Sequence, residues 1–173
     1  MQEDIFDIVD ESDRVVGQAP RSEAHAKKLR HRAIHVLIFN NEGEVFMQKR
    51  SKTKDTWPGA WDSSCSGHVD SGEDYLTAAH RELDEELGYK ADRELEMLFK
   101  LLPCEETGEE FIHVYRVYGN GPFRLNHDEI EIGEWMNIPN LLERIEFTPQ
   151  RFSSAFRLIM VRLQALQLLP VSS

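Results

Sequence analysis

The sequence has little cysteine and no long apolar run. Two cysteines, Cys65 and Cys104, are too few for a disulfide framework, so we expect both to be reduced thiols. No stretch approaches the roughly 20 consecutive apolar residues that cross a bilayer. The first residues are acidic and lack the basic and then apolar pattern of a signal peptide. We therefore expect a cytoplasmic protein that does not enter a membrane.

Positive charge is also scarce. Lysine and arginine number 20 against 31 aspartates and glutamates, which gives a formal net charge of −11. This balance argues against nucleic acid or an anionic membrane as the main partner, because both attract basic surfaces. The carboxylate excess suits a protein that collects divalent cations, although solubility alone would also account for it.

The chain of 173 residues shows no internal repeat or low-complexity tract, which favours one domain. Turn residues and apolar periodicity divide it into short strands and a few helices. The predicted strands are 5–9 and 15–18, forming an N-terminal hairpin, 33–40 and 45–50, forming a second hairpin, and 65–69, 95–102, 111–118 and 134–136. The predicted helices are 22–29, capped by Ser22, 73–87, 138–145 and a final helix at about 149–167, opened by Thr148 and Pro149. This mixture predicts an α/β domain.

The helix at 73–87 has two distinct faces. Three- and four-residue steps place an apolar stripe for the core on one face, formed by Leu76, Ala79, Leu83 and Leu87. The same steps place Glu82, Glu85 and Glu86 together on another face, where like charges repel. Arg81 can pair with Glu85, and a bound Mg²⁺ would compensate the repulsion further. A solvated acidic surface is the alternative interpretation.

Glycines surround this helix at positions where a metal or phosphate site needs close backbone approach. Gly67 and Gly72 bracket the preceding loop, and Gly88 ends the helix. The segment 67–89 resembles the Nudix box, Gly-x5-Glu-x7-Arg-Glu-U-x-Glu-Glu-x-Gly-U, where U is a bulky apolar residue. The matching positions are Gly67, Glu73, Arg81, Glu82, Leu83, Glu85, Glu86 and Gly88, with Tyr89 at the last apolar position.

The resemblance implies a MutT-like Nudix hydrolase over residues 1–173. It implies the Nudix fold, an α/β/α sandwich with a central mixed sheet. It also implies hydrolysis of a nucleoside diphosphate linked to another group, or of a related organic diphosphate. The partner would be a small-molecule diphosphate substrate, and the cofactor would be Mg²⁺, with Mn²⁺ possible because the same oxygen ligands suit both.

The family's residue roles carry over by position. Glu82, Glu85 and Glu86 are the implied metal ligands, joined by the backbone carbonyl of Gly67. Glu73 and Arg81 are implied to be structural, with Arg81 orienting the helix carboxylates. The implied chemistry is attack by a metal-activated water whose proton passes to a carboxylate. Glu85 is the first candidate for that base, and a distant loop offers three alternatives, Asp128, Glu129 and Glu131.

Segments outside the box resemble the isopentenyl-diphosphate isomerase branch of the superfamily. They are 29–33, 48–51, 57–61, 66–68 and 126–135. By this resemblance His31, His68 and Glu110 fall at metal-binding positions, and His25 lies one residue out of step with another. The isomerase cysteine falls at Ser66, and the full hydrolase box is present, so we expect a hydrolase rather than an isomerase. A non-catalytic module that binds a nucleotide derivative is a third reading, disfavoured by the intact glutamates.

Several further residues are candidates for substrate binding. Arg50 ends a strand that leads to the site and can meet a phosphate, and His31 and His68 can contact substrate or simply hydrogen-bond in place. Trp61, like Trp57, can stack on a base or anchor its loop. The apolar stripe of the final helix packs on the domain or forms a dimer contact, so the expected state is a monomer or homodimer.

Overall fold

The computed structural model describes residues 2–170, so both ends of the predicted domain, Met1 and 171–173, lie outside the described residues. The described strands are β1 (Ile5–Val9), β2 (Val15–Pro20), β3 (His31–Phe39), β4 (Val45–Arg50), β5 (Trp61–Asp62), β6 (Cys65–His68), β7 (Glu96–Leu101), β8 (Glu110–Tyr118) and β9 (Ile130–Met136). The described helices are α1 (Arg21–Ala26), α2 (Tyr75–Leu87), α3 (Ile138–Phe147) and α4 (Ser154–Ala165), with a 3-10 turn at Pro149–Arg151.

Strand β3 is the centre of a mixed sheet. It runs parallel to β8 and antiparallel to β6, and the sheet continues from β8 to β7 and from β4 to β5 and β9. The hairpin predicted for 33–40 and 45–50 is confirmed at its turn, where β3 pairs antiparallel with β4, but this pairing is limited to Phe39 and Val45. Beyond the turn, β6 occupies the edge of β3, and β4 pairs instead with β9.

Alternating side chains of β3 divide the core into two layers. Ala33, Leu37 and Phe39 pack with α3 and α4 on one face of the sheet. Ile34, Val36 and Ile38 pack with α2 on the other face. The arrangement of helices on both faces of a mixed sheet confirms the expected α/β/α sandwich.

Helix α2 has clear signals at both ends. Asp74 caps its start by accepting a hydrogen bond from the Thr77 backbone amide over 2.8 Å, and Gly88 ends it in the left-handed region at φ 56°. The apolar stripe is confirmed at Leu83, which is fully buried, but wrong at Leu76, which is 43% exposed. In the first turn Tyr75, rather than Leu76, packs against the core.

Other predicted boundaries shift for local reasons. Helix α1 ends at Ala26 and has no side-chain cap, so the prediction that Ser22 caps it is wrong. The predicted final helix is interrupted because Phe152 adopts an extended conformation, is fully buried and bridges to Trp61. Ser153 then caps α4, accepting a hydrogen bond from the Phe156 amide. Strand β9 begins at Ile130 rather than 134, and α3 extends to Phe147.

The predicted N-terminal hairpin is confirmed as β1 and β2, which pair antiparallel from Ile5 with Pro20 onward. Phe6 and Ala19 of this hairpin form a small separate core with Ala24 of α1. Both cysteines are free, and Cys65 is fully buried. Among residues 2–170, no helix is long and apolar enough to cross a membrane.

Candidate active site

A cavity of about 800 Å³ opens at the edge of the sheet where β6 lies beside α2. It brings together acidic side chains of α2, basic side chains of the segment after β4, and residues of β3, β6 and β8. Of the predicted site residues, the cavity is lined by Arg50, Gly67, His68, Glu82, Glu85 and Glu86, and its lining also includes Lys54, Ser66, Arg81, Glu110 and Glu129.

The three carboxylates of α2 differ in exposure. Glu86 is buried, the Glu82 side chain is 14% exposed and the Glu85 side chain is 58% exposed. Gly67 of β6 passes directly over Glu82, and a Cβ atom at residue 67 would collide with the Glu82 carboxyl group. The absence of a side chain at Gly67 therefore makes room for the carboxylate beside the β6 backbone.

Burial disfavours the charged forms of Glu82 and Glu86. Burial raises the pKa of Glu82 to about 7 and raises the pKa of Glu86 well above its usual range. Charge repulsion adds to this effect, because Glu82 raises the pKa of Glu86 and Glu85 raises the pKa of Glu82. Oxygen ligands held this way suit a hard divalent cation, which would offset both burial and repulsion.

Gln48 of β4 contributes to this cluster, although the sequence patterns did not single it out. Its Nε2 donates a hydrogen bond to Oε2 of Glu86 over 2.7 Å, and both side chains are buried. This hydrogen bond lowers the pKa of Glu86 and so opposes the effect of burial.

Arg81 connects the carboxylates to the preceding loop. Its guanidinium donates to both carboxylate oxygens of Glu73 at 2.9 and 3.0 Å, to Glu82 at 2.8 Å and to Glu85 at 3.2 Å. It also donates to the backbone carbonyl of His68 over 2.9 Å. These contacts fix where the carboxylates of α2 stand relative to β6, as expected for an orienting arginine.

A second cluster lies on the opposite face of β6 from Gly67. It consists of His25, His31, His68 and Glu110, whose ligand atoms all lie within 4.8 Å of one another. His31 and Glu110 are direct neighbours in the β3–β8 register. His25 belongs to it despite its sequence offset, because α1 brings its Nε2 to 3.3 Å from Nε2 of His68.

The donor set of this second cluster fits a metal ion. Nε2 of His31 is buried and finds no hydrogen-bond partner within residues 2–170, although Oε1 of Glu110 lies 3.3 Å away. Burial lowers the pKa of His25 and His68, which favours the neutral imidazoles that metals require. Burial alone would raise the pKa of Glu110, but His68 and His31 outweigh it and hold that pKa well below its usual range. Three imidazoles and one carboxylate suit a transition metal such as Zn²⁺, Mn²⁺ or Fe²⁺.

Arg50 is held in place at the cavity. Its Nε donates to the Thr56 carbonyl over 3.0 Å, its Nη2 donates to Oγ1 of Thr56 over 3.2 Å, and Nη1 lies 3.5 Å from Oδ2 of Asp62. A guanidinium fixed by these partners is preorganised to meet a phosphate. Lys54, nearby in the same lining, pairs with Glu129.

Trp57 and Trp61, which precede β6 in the sequence, lie in different environments. Trp57 lines the cavity and is 39% exposed. Trp61 was predicted to bind substrate, but it lies outside the cavity lining and is 7% exposed within the core. It packs there because β5 pairs with β4 and turns the indole toward the α4 layer, where Phe152 bridges to it.

Alternation along β6 separates Cys65 from Ser66. Cys65 packs in the core under α2, where burial raises the pKa of its thiol well above the usual range. Ser66 lines the cavity. Among the described residues, therefore, no thiol of lowered pKa faces the cavity at the position that the isomerase resemblance requires.

Comparison with known proteins identifies the family. The family model of the NUDIX domain matches residues 29–156, which is well over half of the chain. The chain therefore belongs to the Nudix family, and it is an enzyme of the Nudix hydrolase class, which acts on diphosphates.

Individual relatives come from two groups. The chain is 36% identical to an uncharacterised Nudix hydrolase of Yersinia pestis over 153 residues, covering 83% of this chain and 79% of that protein. It is 34% identical to an isopentenyl-diphosphate Delta-isomerase of Pectobacterium atrosepticum over 161 residues, covering 90% of this chain and 89% of that protein. The crystal structure of DR0079 from Deinococcus radiodurans is similar with a TM-score of 0.75 at 33% identity, covering 83% of this chain and 90% of that one.

Proposed function

We propose that this protein is a Mg²⁺-dependent hydrolase that cleaves the diphosphate linkage of a nucleoside diphosphate derivative or a related organic diphosphate. The observation that carries the proposal is the group of Glu82, Glu85 and Glu86, which lines the same cavity as Arg50 and in which Arg81 joins Glu82 to Glu85. This arrangement supports the proposal because carboxylates that suit a cation and a guanidinium that suits a phosphate line one cavity. Mn²⁺ can replace Mg²⁺ in such an oxygen site.

Each residue would have a role in this reaction. Glu82, Glu85, Glu86 and the carbonyl of Gly67 would hold the metal, which would supply an activated water and offset charge on the leaving phosphate. Arg81 keeps the carboxylates in position, and Arg50 binds a phosphate oxygen of the substrate. His68 lines the cavity beside the substrate, and His31, buried behind it, holds the second cluster together through Glu110.

Two carboxylates remain as candidates for the general base. Glu85 is the most exposed of the three on α2, so a water can reach its carboxylate although Arg81 donates to one oxygen. In the distant loop, Glu129 lines the cavity, whereas Asp128 and Glu131 lie outside the lining. We expect Glu129→Gln to lower kcat by about a hundredfold if Glu129 is the base, with Asp128→Asn as the matched control. A normal rate in Glu129→Gln assigns the role to Glu85.

An isomerase of allylic diphosphates is the second candidate function. The histidine cluster and the relatives named as isomerases favour it. Ser66 in place of a cavity-facing thiol disfavours it. A binding module without turnover is a third candidate, and the complete set of glutamates disfavours it.

The deciding experiment is phosphorus NMR of a substrate panel with Mg²⁺. The panel holds nucleoside di- and triphosphates, ADP-ribose, other nucleotide sugars, dinucleotides and isopentenyl diphosphate. Glu86→Gln is the inactive variant, and Asp84→Asn, on the exposed side of the same helix, is its matched control. We expect one diphosphate resonance to disappear with wild type and Asp84→Asn and to persist with Glu86→Gln. If all phosphorus signals persist, hydrolysis of the panel is excluded, and proton spectra of isopentenyl diphosphate then test isomerisation.

A further inference from the structure

The N-terminal hairpin lies before residues 29–156, the part of the chain that the family model matches, yet it touches the histidine cluster and the loop before α2. Phe6 of β1 stacks on the rings of His68 and His31, with centroids 4.6 and 5.3 Å apart. The next residue, Asp7, contacts the loop that leads from β6 to α2. The hairpin is therefore placed to act on the site.

The Asp7 carboxylate is buried and accepts hydrogen bonds from that loop. Oδ1 accepts from Oγ of Ser71 over 2.7 Å, and Oδ2 accepts from the backbone amide of Gly72 over 3.0 Å. Nε2 of Gln18, on the paired strand β2, lies 3.4 Å from Oδ1 and also donates to Ser71. The two hydrogen bonds from Ser71 and Gly72 to Asp7 therefore fix the position of the loop relative to the hairpin.

Backbone pairing adds to this attachment. The Ser71 amide donates to the Ile5 carbonyl over 2.8 Å, and Phe6 forms a β-bridge with Asp70. The same loop is held at its far end by Glu73, which accepts from the Asp70 amide and from Arg81. The segment between Gly67 and α2 is thus attached on one side to the hairpin and on the other to the metal-binding helix.

We propose that Asp7 is a positioning residue for the metal site, holding the loop that sets Gly67 and Glu73 against the carboxylates of α2. The inference rests on the proposed function of those carboxylates as metal ligands. Asp7 touches neither substrate nor metal, and its effect passes through Ser71 and Gly72. Through Asp7, the N-terminal hairpin contributes to the metal site although the hairpin lies outside residues 29–156.

The test compares Asp7→Asn with Asp10→Asn. Both aspartates belong to the same hairpin, but within residues 2–170 the Asp10 side chain bonds only inside its own turn, to Ser12 and Arg14. Asparagine keeps the shape of Asp7 but brings an NH₂ group where an oxygen accepts from the loop. We expect Asp7→Asn to raise the Mg²⁺ concentration for half-maximal activity about tenfold, with KM at saturating Mg²⁺ nearly unchanged. Ser71→Ala should give a smaller change in the same direction, and Asp10→Asn none.

Two further measurements separate positioning from a loss of folding. Circular dichroism at the assay temperature establishes that each variant is folded, and Mn²⁺ binding followed by EPR needs no substrate. The Mn²⁺ component to follow is the one lost in Glu86→Gln. If folded Asp7→Asn binds Mn²⁺ and responds to Mg²⁺ as wild type does, the inference is overturned. If wild type hydrolyses nothing but Asp7→Asn binds Mn²⁺ more weakly, the proposed function fails and the role of Asp7 stands.

Discussion

Gln48 and Glu86 form a buried hydrogen-bonded pair between β4 and α2, with Nε2 and Oε2 2.7 Å apart. The amide stabilises the charged carboxylate in a place where burial favours the protonated one. Gln48 thereby keeps a proposed metal ligand closer to the state in which it can bind a cation.

Replacing Gln48 by leucine should therefore weaken metal activation. Without the amide, the pKa of Glu86 rises further, and a cation must displace a more tightly held proton. We expect the half-activating Mg²⁺ concentration to rise about tenfold and the acid limb of the rate profile to move to higher pH. Initial rates measured over a range of pH values and Mg²⁺ concentrations give both quantities. If Gln48→Leu and wild type have the same half-activating Mg²⁺ concentration and the same acid limb, the role assigned to Gln48 is contradicted.

The stability of the metal-free protein should depend on Glu82. Because the pKa of Glu82 is raised from 4.5 to about 7 in the fold, its contribution to stability is present below its unfolded pKa and is lost as pH rises through 7. Glu82→Gln should thus be more stable than wild type at pH 8 in the absence of metal, by on the order of 2 kcal/mol. The difference should shrink toward pH 5.

Urea denaturation at the three pH values 5, 7 and 8 measures this difference. Added Mg²⁺ should stabilise wild type at pH 8, since it binds the ionised carboxylates of the folded state. The same Mg²⁺ should have little effect on Glu82→Gln. A difference in free energy of unfolding between wild type and Glu82→Gln that is the same at all three pH values would contradict a raised pKa of Glu82.

The histidine cluster should bind Co²⁺ apart from the glutamate site. The four residues of this cluster place their ligand atoms within 4.8 Å of one another. Removing one imidazole by His68→Ala should therefore weaken Co²⁺ binding by at least about tenfold. Visible absorption bands of Co²⁺ follow the binding. They should persist in Glu86→Gln and in His80→Ala, whose histidine is exposed on α2. Bands that survive in His68→Ala would place the ion elsewhere.

Arg50 should control substrate affinity. Loss of a charge-assisted hydrogen bond to phosphate costs about 1.5 to 3 kcal/mol, so Arg50→Ala should raise KM about ten- to a hundredfold. Lys49→Ala is the matched control, because Lys49 is the adjacent residue, pairs with Glu131 and lies outside the cavity lining. Steady-state kinetics on the substrate identified by NMR give the comparison, and equal KM values in the two variants would remove Arg50 from the binding site.

The local part of the site could be predicted from the sequence. The spacing from Gly67 to Gly88 lies within one loop and one helix, and the structure places Glu82, Glu85 and Glu86 on one cavity, with Arg81 bonded to Glu82 and Glu85. Local signals were less reliable where tertiary burial competes with them. Pro149 does begin a turn, but burial of Phe152 extends the chain and delays the final helix to Ser154.

Gln48 and Asp7 could not have been predicted in the same way. Each reaches the site through strand pairing or packing between segments far apart in the sequence, and neither belongs to a periodic pattern. Which of Trp57 and Trp61 lines the cavity also depends on pairing between segments that are apart in the sequence. Only the pairing of β5 with β4 decides that Trp61 enters the core while Trp57 stays at the cavity.

The register of β3 and β8 has a consequence for biosynthesis. Strand β3, β6 and helix α2 are synthesised before β8, so the three glutamates and Gly67 precede Glu110 along the growing chain. Glu110 is the neighbour of His31 in the parallel ladder, and it is made only after α2 and β7. The histidine cluster therefore cannot be complete until β8 has been synthesised. A chain interrupted before residue 110 would carry all three glutamates of α2 but would lack the carboxylate of the second cluster.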